Sequence, residues 1–177
     1  MLNVIGVAVA SLVVLVLICM SVQVVRPVEV RLVERFGKYV RTLDQGLHFI
    51  LPFIEDTLQV EMTETMVDVE PQTVITKDKL NVIVDAIVYY KVRDAKNAAY
   101  NVNDFEGQLV SLSRTTLRSV IGMMTLTEAN EKRADINAKI EAILDKETAD
   151  YGVDVLRVEI QKIEPPKDVI ESMNMVV

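Results

Sequence analysis

Few residues of this chain are of a type and spacing that could do chemistry. Two acidic pairs, Glu55 with Asp56 and Asp68 with Glu70, have the composition of a general acid–base couple. Such a couple needs its carboxylates held in different environments around a substrate, and nothing flanking these pairs supplies that, so they read as surface or interface residues. A nucleophile with a base is equally hard to assemble. The chain has one histidine, His48, set among apolar residues, and one cysteine, Cys19, set inside an uncharged segment. A single cysteine allows no intrachain disulfide and no cysteine metal cluster. The glycines form no phosphate-cradling loop, and no metal-ligand spacing occurs. Catalysis is therefore not expected, and neither is a cofactor or a metal.

Stepping outward from these residues, the strongest feature is the absence of charge from the first 25 residues, Arg26 being the first charged side chain. Leu2, Val4, Ile5, Val7, Val9, Leu12, Val13, Val14, Leu15, Val16, Leu17 and Ile18 fill most of this stretch. About 20 apolar residues suffice for a helix to cross a hydrocarbon core about 30 Å thick. A cleaved signal peptide needs a basic start, a shorter apolar run and a small-residue cleavage site at its end. Here no Lys or Arg precedes the run, and Ala8 and Ala10 lie in its middle. The expectation is a membrane-spanning anchor. Arg26, Arg31, Arg35, Lys38 and Arg41 follow it, so the expected arrangement is single-pass in the cell membrane with the body on the cytoplasmic face. Cys19 lies about 10 Å of helix rise inside Arg26, within reach of acylation from that face, although a small apolar role competes.

The remaining 177 − 25 = 152 residues can form one well-packed domain or two small ones. The formal charge of −7 lies wholly in this body, which argues against nucleic acid as a partner and against broad attraction to anionic lipid. Alternation predicts short strands from Val28, from Tyr39 and around Leu58, Val60 and Met62, with further β signals at Met66 and Thr73. The longest strand is predicted over residues 80–92, with Val82, Val84, Ala86, Val88, Tyr90 and Val92 on one face. The period then becomes helical at Phe105, Leu109, Leu112, Thr116, Val120 and Ile121, with Asn103 or Asp104 as cap and Gly122 as the end. Thr125 and Glu128 have capping-box spacing for a second helix carrying Ala129, Ile136, Ile140, Ile143 and Leu144. Leu156, Val158 and Ile160 predict a last strand, closed by Pro165 and Pro166. Asp168 would cap a further helix with Val169, Ile170, Met173 and Val176 or Val177 on one side, which suggests a fragment of a longer chain.

Residues 47–54 form a dense apolar cluster after Gly46, and Pro52 opposes a regular helix or strand through it. One reading buries it in the core. The other places Leu47, Phe49, Ile50, Leu51, Phe53 and Ile54 in peripheral contact with the membrane beside the anchor, worth of order 2 kcal/mol for each phenylalanine.

In order along the chain stand Phe36-Gly37-Lys38-Tyr39, Gly46-Leu47-His48-Phe49-Ile50-Leu51-Pro52-Phe53, Thr76-Lys77-Asp78 and Val84-Asp85-Ala86-Ile87-Val88-Tyr89-Tyr90-Lys91-Val92. Then follow Thr115-Thr116-Leu117-Arg118-Ser119-Val120-Ile121-Gly122, Thr125-Leu126, Gly152-Val153 and Ile163-Glu164-Pro165-Pro166. Together they resemble the stomatin branch of the SPFH (band 7, prohibitin-homology) family. Gln45, Ala95, Tyr151, Ala129-Asn130 and Lys132-Arg133 depart from its usual pattern. The resemblance implies a mixed α+β fold: an anchor over 2–25, a membrane-proximal β-rich subdomain over 26–75, an α/β subdomain over 76–164, and the start of a long, charged coiled-coil helix over 165–177. It implies homo-oligomerisation into a ring or cage on membrane lipid, and in some relatives an NfeD-type membrane protein or a membrane protease as partner. The expected function is a non-catalytic scaffold of a membrane microdomain that modulates neighbouring membrane proteins. The alternative is a regulatory subunit of a membrane protease or channel acting as a small oligomer. Charges at Glu128, Lys132, Asp135, Lys139 and Asp145 are the expected oligomer contacts, although exposed pairs of this kind typically contribute about 0–1 kcal/mol.

Overall fold

A computed structural model describes residues 2–165, which divide after Thr63 into two compact units. The helix expected after Pro165, with Asp168, Val169, Ile170, Met173, Val176 and Val177, lies outside the described residues. The architecture is mixed α+β. The units divide ahead of the 75/76 boundary suggested by the sequence, because the strand Glu64–Ile75 pairs with the strand that follows it.

The first unit begins with α1 (Leu2–Ser21) and continues without a linker into β1 (Val22–Val25). Then come β2 (Glu29–Arg35), β3 (Lys38–Leu43), β4 (Gly46–Phe49) and β5 (Glu55–Glu61). β1 pairs antiparallel with β4, and a second antiparallel sheet has the order β3-β2-β5. Val25, Val33, Leu43 and Ile50 form a buried cluster in this unit. Simple alternation misreads its strands. Val28 precedes β2 and is exposed, whereas Glu29 is buried. The buried carboxylate accepts hydrogen bonds from Gln59 Nε2 at 2.5 Å and Arg31 at 3.3 Å, which offset its loss of water. Leu58, expected to face inward, is exposed.

The second unit is a three-stranded antiparallel sheet, β6 (Glu64–Ile75), β7 (Asn81–Val92) and β8 (Val153–Glu164), with the helices Phe105–Gly122 and Arg133–Thr148 packed on it. β6 joins the separate β signals at Met66 and Thr73 into one strand. It does so through a bulge between Val69 and Gln72, where Pro71, lacking an N–H, does not have to donate to the ladder. β7 follows its alternation: Val82, Val84, Ala86, Val88, Tyr90 and Val92 are all buried. Tyr90 also donates its hydroxyl hydrogen bond to Glu106 at 2.5 Å and meets Phe105 edge-on.

β8 departs from the expected alternation. Its register with β7 slips between Tyr89 and Tyr90 and again between Asp85 and Ala86, so Leu156 and Gln161 are inserted residues without a partner opposite. Each insertion reverses the phase. Val153 and Val155, then Val158 and Ile160, then Ile163 point inward, while Leu156 is exposed. Leu156→Ser is therefore expected to change the unfolding free energy by less than about 0.5 kcal/mol; a larger loss in denaturant titration contradicts this placement.

The helices keep their predicted signals, with two differences. Asp104 caps α3 (Phe105–Gly122) by accepting from the Gly107 N–H at 3.0 Å. Leu109, Ser113, Thr116, Leu117, Val120 and Ile121 form its buried face, and Leu112 is only half-buried. Thr125 and Glu128 form the full capping box of α4 (Leu126–Glu131). The single helix expected from there is two, because Lys132 takes φ −106° and ψ 31° before α5 (Arg133–Thr148). No Gly or Pro marks that break, so periodicity runs across it. Short α2 (Ala95–Tyr100), capped by Asp94, was absent from the sequence reading because six residues are too few to display a period. A 3₁₀ turn at Ala149–Tyr151 ends in left-handed Gly152.

Candidate functional site

The candidate site is the end of the first unit where α1 meets the loop between β4 and β5. α1 is 20 residues long, Leu2–Ser21, and its sequence holds no charged residue. Leu12, Val14, Leu15, Val16, Leu17, Ile18 and Met20 are exposed, as is Cys19. The side chains of Leu2, Val4, Ile5, Val7, Val9 and Val13 lie outside those described. Among the described residues no helix is long and apolar enough to cross a membrane.

The chain returns to α1 after β4. The Ile50 N–H donates to the Ser21 carbonyl at 2.8 Å, tying the loop to the last turn of the helix. Of the residues expected at the membrane, Leu47, Phe49, Leu51, Phe53 and Ile54 are exposed. Ile50 is not: it is only 8% exposed and belongs to the cluster with Val25, Val33 and Leu43. The bond to Ser21 holds it at the base of the loop, where its side chain completes the core. Phe53, 83% exposed, shares an apolar groove of about 370 Å³ with Leu12, Val16, Leu17 and Met20 of α1.

A third phenylalanine is also exposed. Phe36 is 82% exposed and sits with Gly37 in the turn between β2 and β3. Both residues have positive φ, 50° and 74°, which glycine tolerates and phenylalanine rarely adopts. Phe53 also has positive φ, 70°. Arg35 pairs with Lys38 on one side and Glu55 on the other, so the Phe36 turn and the residue 50–54 loop leave the same end of the sheet. The signal for Phe36 in the sequence is a bulky aromatic immediately before Gly37, in a turn position that favours Asn or Gly.

Behind the loop lies an ion cluster built from three strands. Glu55, whose side chain is 0% exposed, accepts from Arg35 Nη2 at 2.6 Å and from both terminal nitrogens of Arg41 at 3.0 and 3.1 Å. The Leu51 N–H adds a bond at 3.0 Å, and Arg41 also donates to the Phe49 carbonyl at 3.0 Å. The Arg35 hydrogen bond, then the Leu51 N–H and Arg41, lower the Glu55 pKa from 4.5 to about 2, against the opposing effect of burial. Glu55 was grouped with Asp56 in the sequence reading; its real partners are 20 and 14 residues away and need the strand register to be found.

Other candidate residues have local roles. His48 on β4 donates a ring N–H to the Asp44 carbonyl at 2.8 Å. The Glu128 carboxylate closes the capping box on the Thr125 N–H at 3.0 Å, which lowers its pKa. Lys132 stands at the α4–α5 break, Asp135 and Lys139 are exposed on α5, and Asp145 accepts from the Val155 N–H at 3.2 Å.

A helix fused to a small β unit with an apolar loop folded against it, followed by a three-stranded sheet carrying helices, defines a mixed α+β domain of the SPFH class. The chain matches the SPFH domain / Band 7 family over residues 23–177 and belongs to that family. An uncharacterized protein of Methanothermobacter thermautotrophicus is 47% identical over 163 residues, 92% of this chain and 51% of that protein. An uncharacterized protein of Methanocaldococcus jannaschii is 39% identical, over 92% of this chain and 82% of the other. A Pyrococcus horikoshii protein named stomatin homolog is 33% identical over 90% of this chain and 60% of its own length. The chain thus spans about half the length of the Methanothermobacter relative.

Proposed function

We propose that this chain is a membrane-anchored, non-catalytic scaffold that assembles with copies of itself into a ring or cage, organises a lipid microdomain and modulates the membrane proteins within it. The observation that carries this reading is the apolar groove that exposed Phe53 of the residue 47–54 loop shares with exposed residues of α1. Support for an anchor comes from the sequence, whose first 25 residues carry no charge, about the length that a hydrocarbon core requires. Phe53 lies beside Leu12, more than two turns before the end of α1 at Ser21, which suits a loop that dips into the bilayer while the helix crosses it. The five basic residues after α1 favour a single-pass arrangement in the cell membrane with the body cytoplasmic. Anchor, loop and protomer contacts then act together, so each can be weak. Partners of the NfeD type, or a membrane protease, fit the same reading.

Membrane depth has a direct test, because the chain contains no tryptophan. In Phe53→Trp reconstituted into vesicles, the single fluorophore is expected to emit in the blue and to be quenched by lipids brominated on their acyl chains. Unquenched, red-shifted emission counts against the loop contact. Assembly is tested by the mass of the protein in mild detergent. A large closed species supports the scaffold, and a discrete dimer or trimer favours a regulatory subunit of a membrane protease or channel. The exposed α5 charges Asp135 and Lys139 are the first candidates for contact between copies.

A further inference from the structure

The ion cluster at the end of α1 has a geometry that its structural role does not use up. An open cavity of about 430 Å³ is bounded on one side by Ile18, Phe49 and Leu51 and on the other by Arg35, Arg41 and Glu55. That is within the size range of small-molecule sites. Glu55 balances one of the two guanidinium charges, which leaves a net positive charge facing apolar walls. Arg35 places one of its five N–H donors on Glu55, and Arg41 places three on Glu55 and the Phe49 carbonyl. Both side chains stay about two-fifths exposed. Both line the cavity with N–H donors to spare, and a guanidinium is the side chain whose planar set of donors suits a phosphate. The same helix also borders the groove at Phe53, which is lined by apolar residues alone.

A phosphate-level charge next to a hydrocarbon-lined groove is the shape of a lipid. We propose that this cavity binds one phosphate-bearing membrane lipid, with the phosphate on Arg35 and Arg41 and an acyl chain along Leu12, Val16 and Phe53. The inference rests on α1 lying in the bilayer. It is compatible with the net charge of −7, because recognition here depends on two fixed guanidiniums rather than on the charge of the whole body. Glu55 fixes both arginines in place before the lipid arrives, so little side-chain freedom is lost on binding.

The test uses the full chain purified in neutral detergent, with native mass spectrometry after adding phosphatidylglycerol, a diacylglycerol with the same chains, or inorganic phosphate. Phosphatidylglycerol is expected to be retained at least about tenfold better than the diacylglycerol, with no retention of inorganic phosphate. Leu51→Trp narrows the cavity without removing an ion-pair partner and is expected to lower phosphatidylglycerol retention, with the far-ultraviolet circular dichroism of the folded chain unchanged. Equal retention of the two lipids, retention of inorganic phosphate alone, or unchanged retention in Leu51→Trp overturns the proposal. Alkaline carbonate extraction separates the failures. If the unaltered chain stays in vesicles but shows no lipid preference, only the lipid site is lost; if it is released, the anchoring fails and the site with it.

Discussion

Gly152→Ala is expected to lower the unfolding free energy by about 3 kcal/mol or more, one of the two largest single-residue effects foreseen here. Two physical causes combine. Gly152 has φ 68°, a left-handed conformation in which a Cβ costs about 1–2 kcal/mol. The new Cβ would also lie 2.8 Å from both the Cβ and the carbonyl oxygen of Asp94, and 3.0 Å from the Cβ of Asn97. The carbonyl cannot retreat freely, because the segment is pinned: the Arg93 and Asp94 N–H groups donate to the Gly152 carbonyl at 2.8 and 3.0 Å. Relief must therefore come from moving the start of α2 or the entry to β8. Thermal or denaturant unfolding of the second unit reads the loss directly, and a change under about 1 kcal/mol would contradict the close packing described.

Glu55→Gln is expected to remove about 2 kcal/mol, together with most of the acid sensitivity contributed by this carboxylate. The folded-state pKa of about 2 lies below the ordinary 4.5, so the folded protein binds this proton less readily than the unfolded chain. The stabilisation is thus complete above about pH 4.5 and is lost as the pH falls toward 2. The full shift corresponds to about 3 kcal/mol, which the partial exposure of Arg35 and Arg41 reduces to about 2 through solvent screening. Unfolding measured at pH 7 and at pH 3 should show a smaller difference in Glu55→Gln than in the unaltered chain. Identical pH dependence of the two proteins would mean that Glu55 does not carry the effect.

How much was legible in the sequence depended on whether a feature is local or assembled. β7 could be read residue by residue, because its buried face alternates without interruption from Val82 to Val92. The caps at Asp104 and Thr125 were equally visible, since a cap joins residues three apart. β8 was misread because Leu156 and Gln161 are inserted against β7, and an insertion shows only when both strands are aligned. The site divides in the same way. Composition marked α1 and most of the exposed loop, but Ile50 looked like its neighbours until the bond to Ser21 put it in the core. Arg35, Arg41 and Glu55 come from β2, β3 and β5, so no linear pattern unites them. Phe36 is hidden for another reason: its exposure follows from a positive φ that no pattern of residue types specifies.

The junction at Ser21 has a mechanical consequence. α1 passes into β1 with no intervening residue, and β1 is bonded along its length to β4, whose exit is pinned back to Ser21. Helix and ribbon are therefore joined at two points rather than one. Within a bilayer, a helix of fixed length answers a change in thickness by tilting. Under the anchoring proposed above, such a tilt would be passed through this double joint to the β1–β4 ribbon. Bilayer thickness would then be converted into orientation, and in the proposed assembly neighbouring copies would add their small torques into a preferred curvature of the patch they surround.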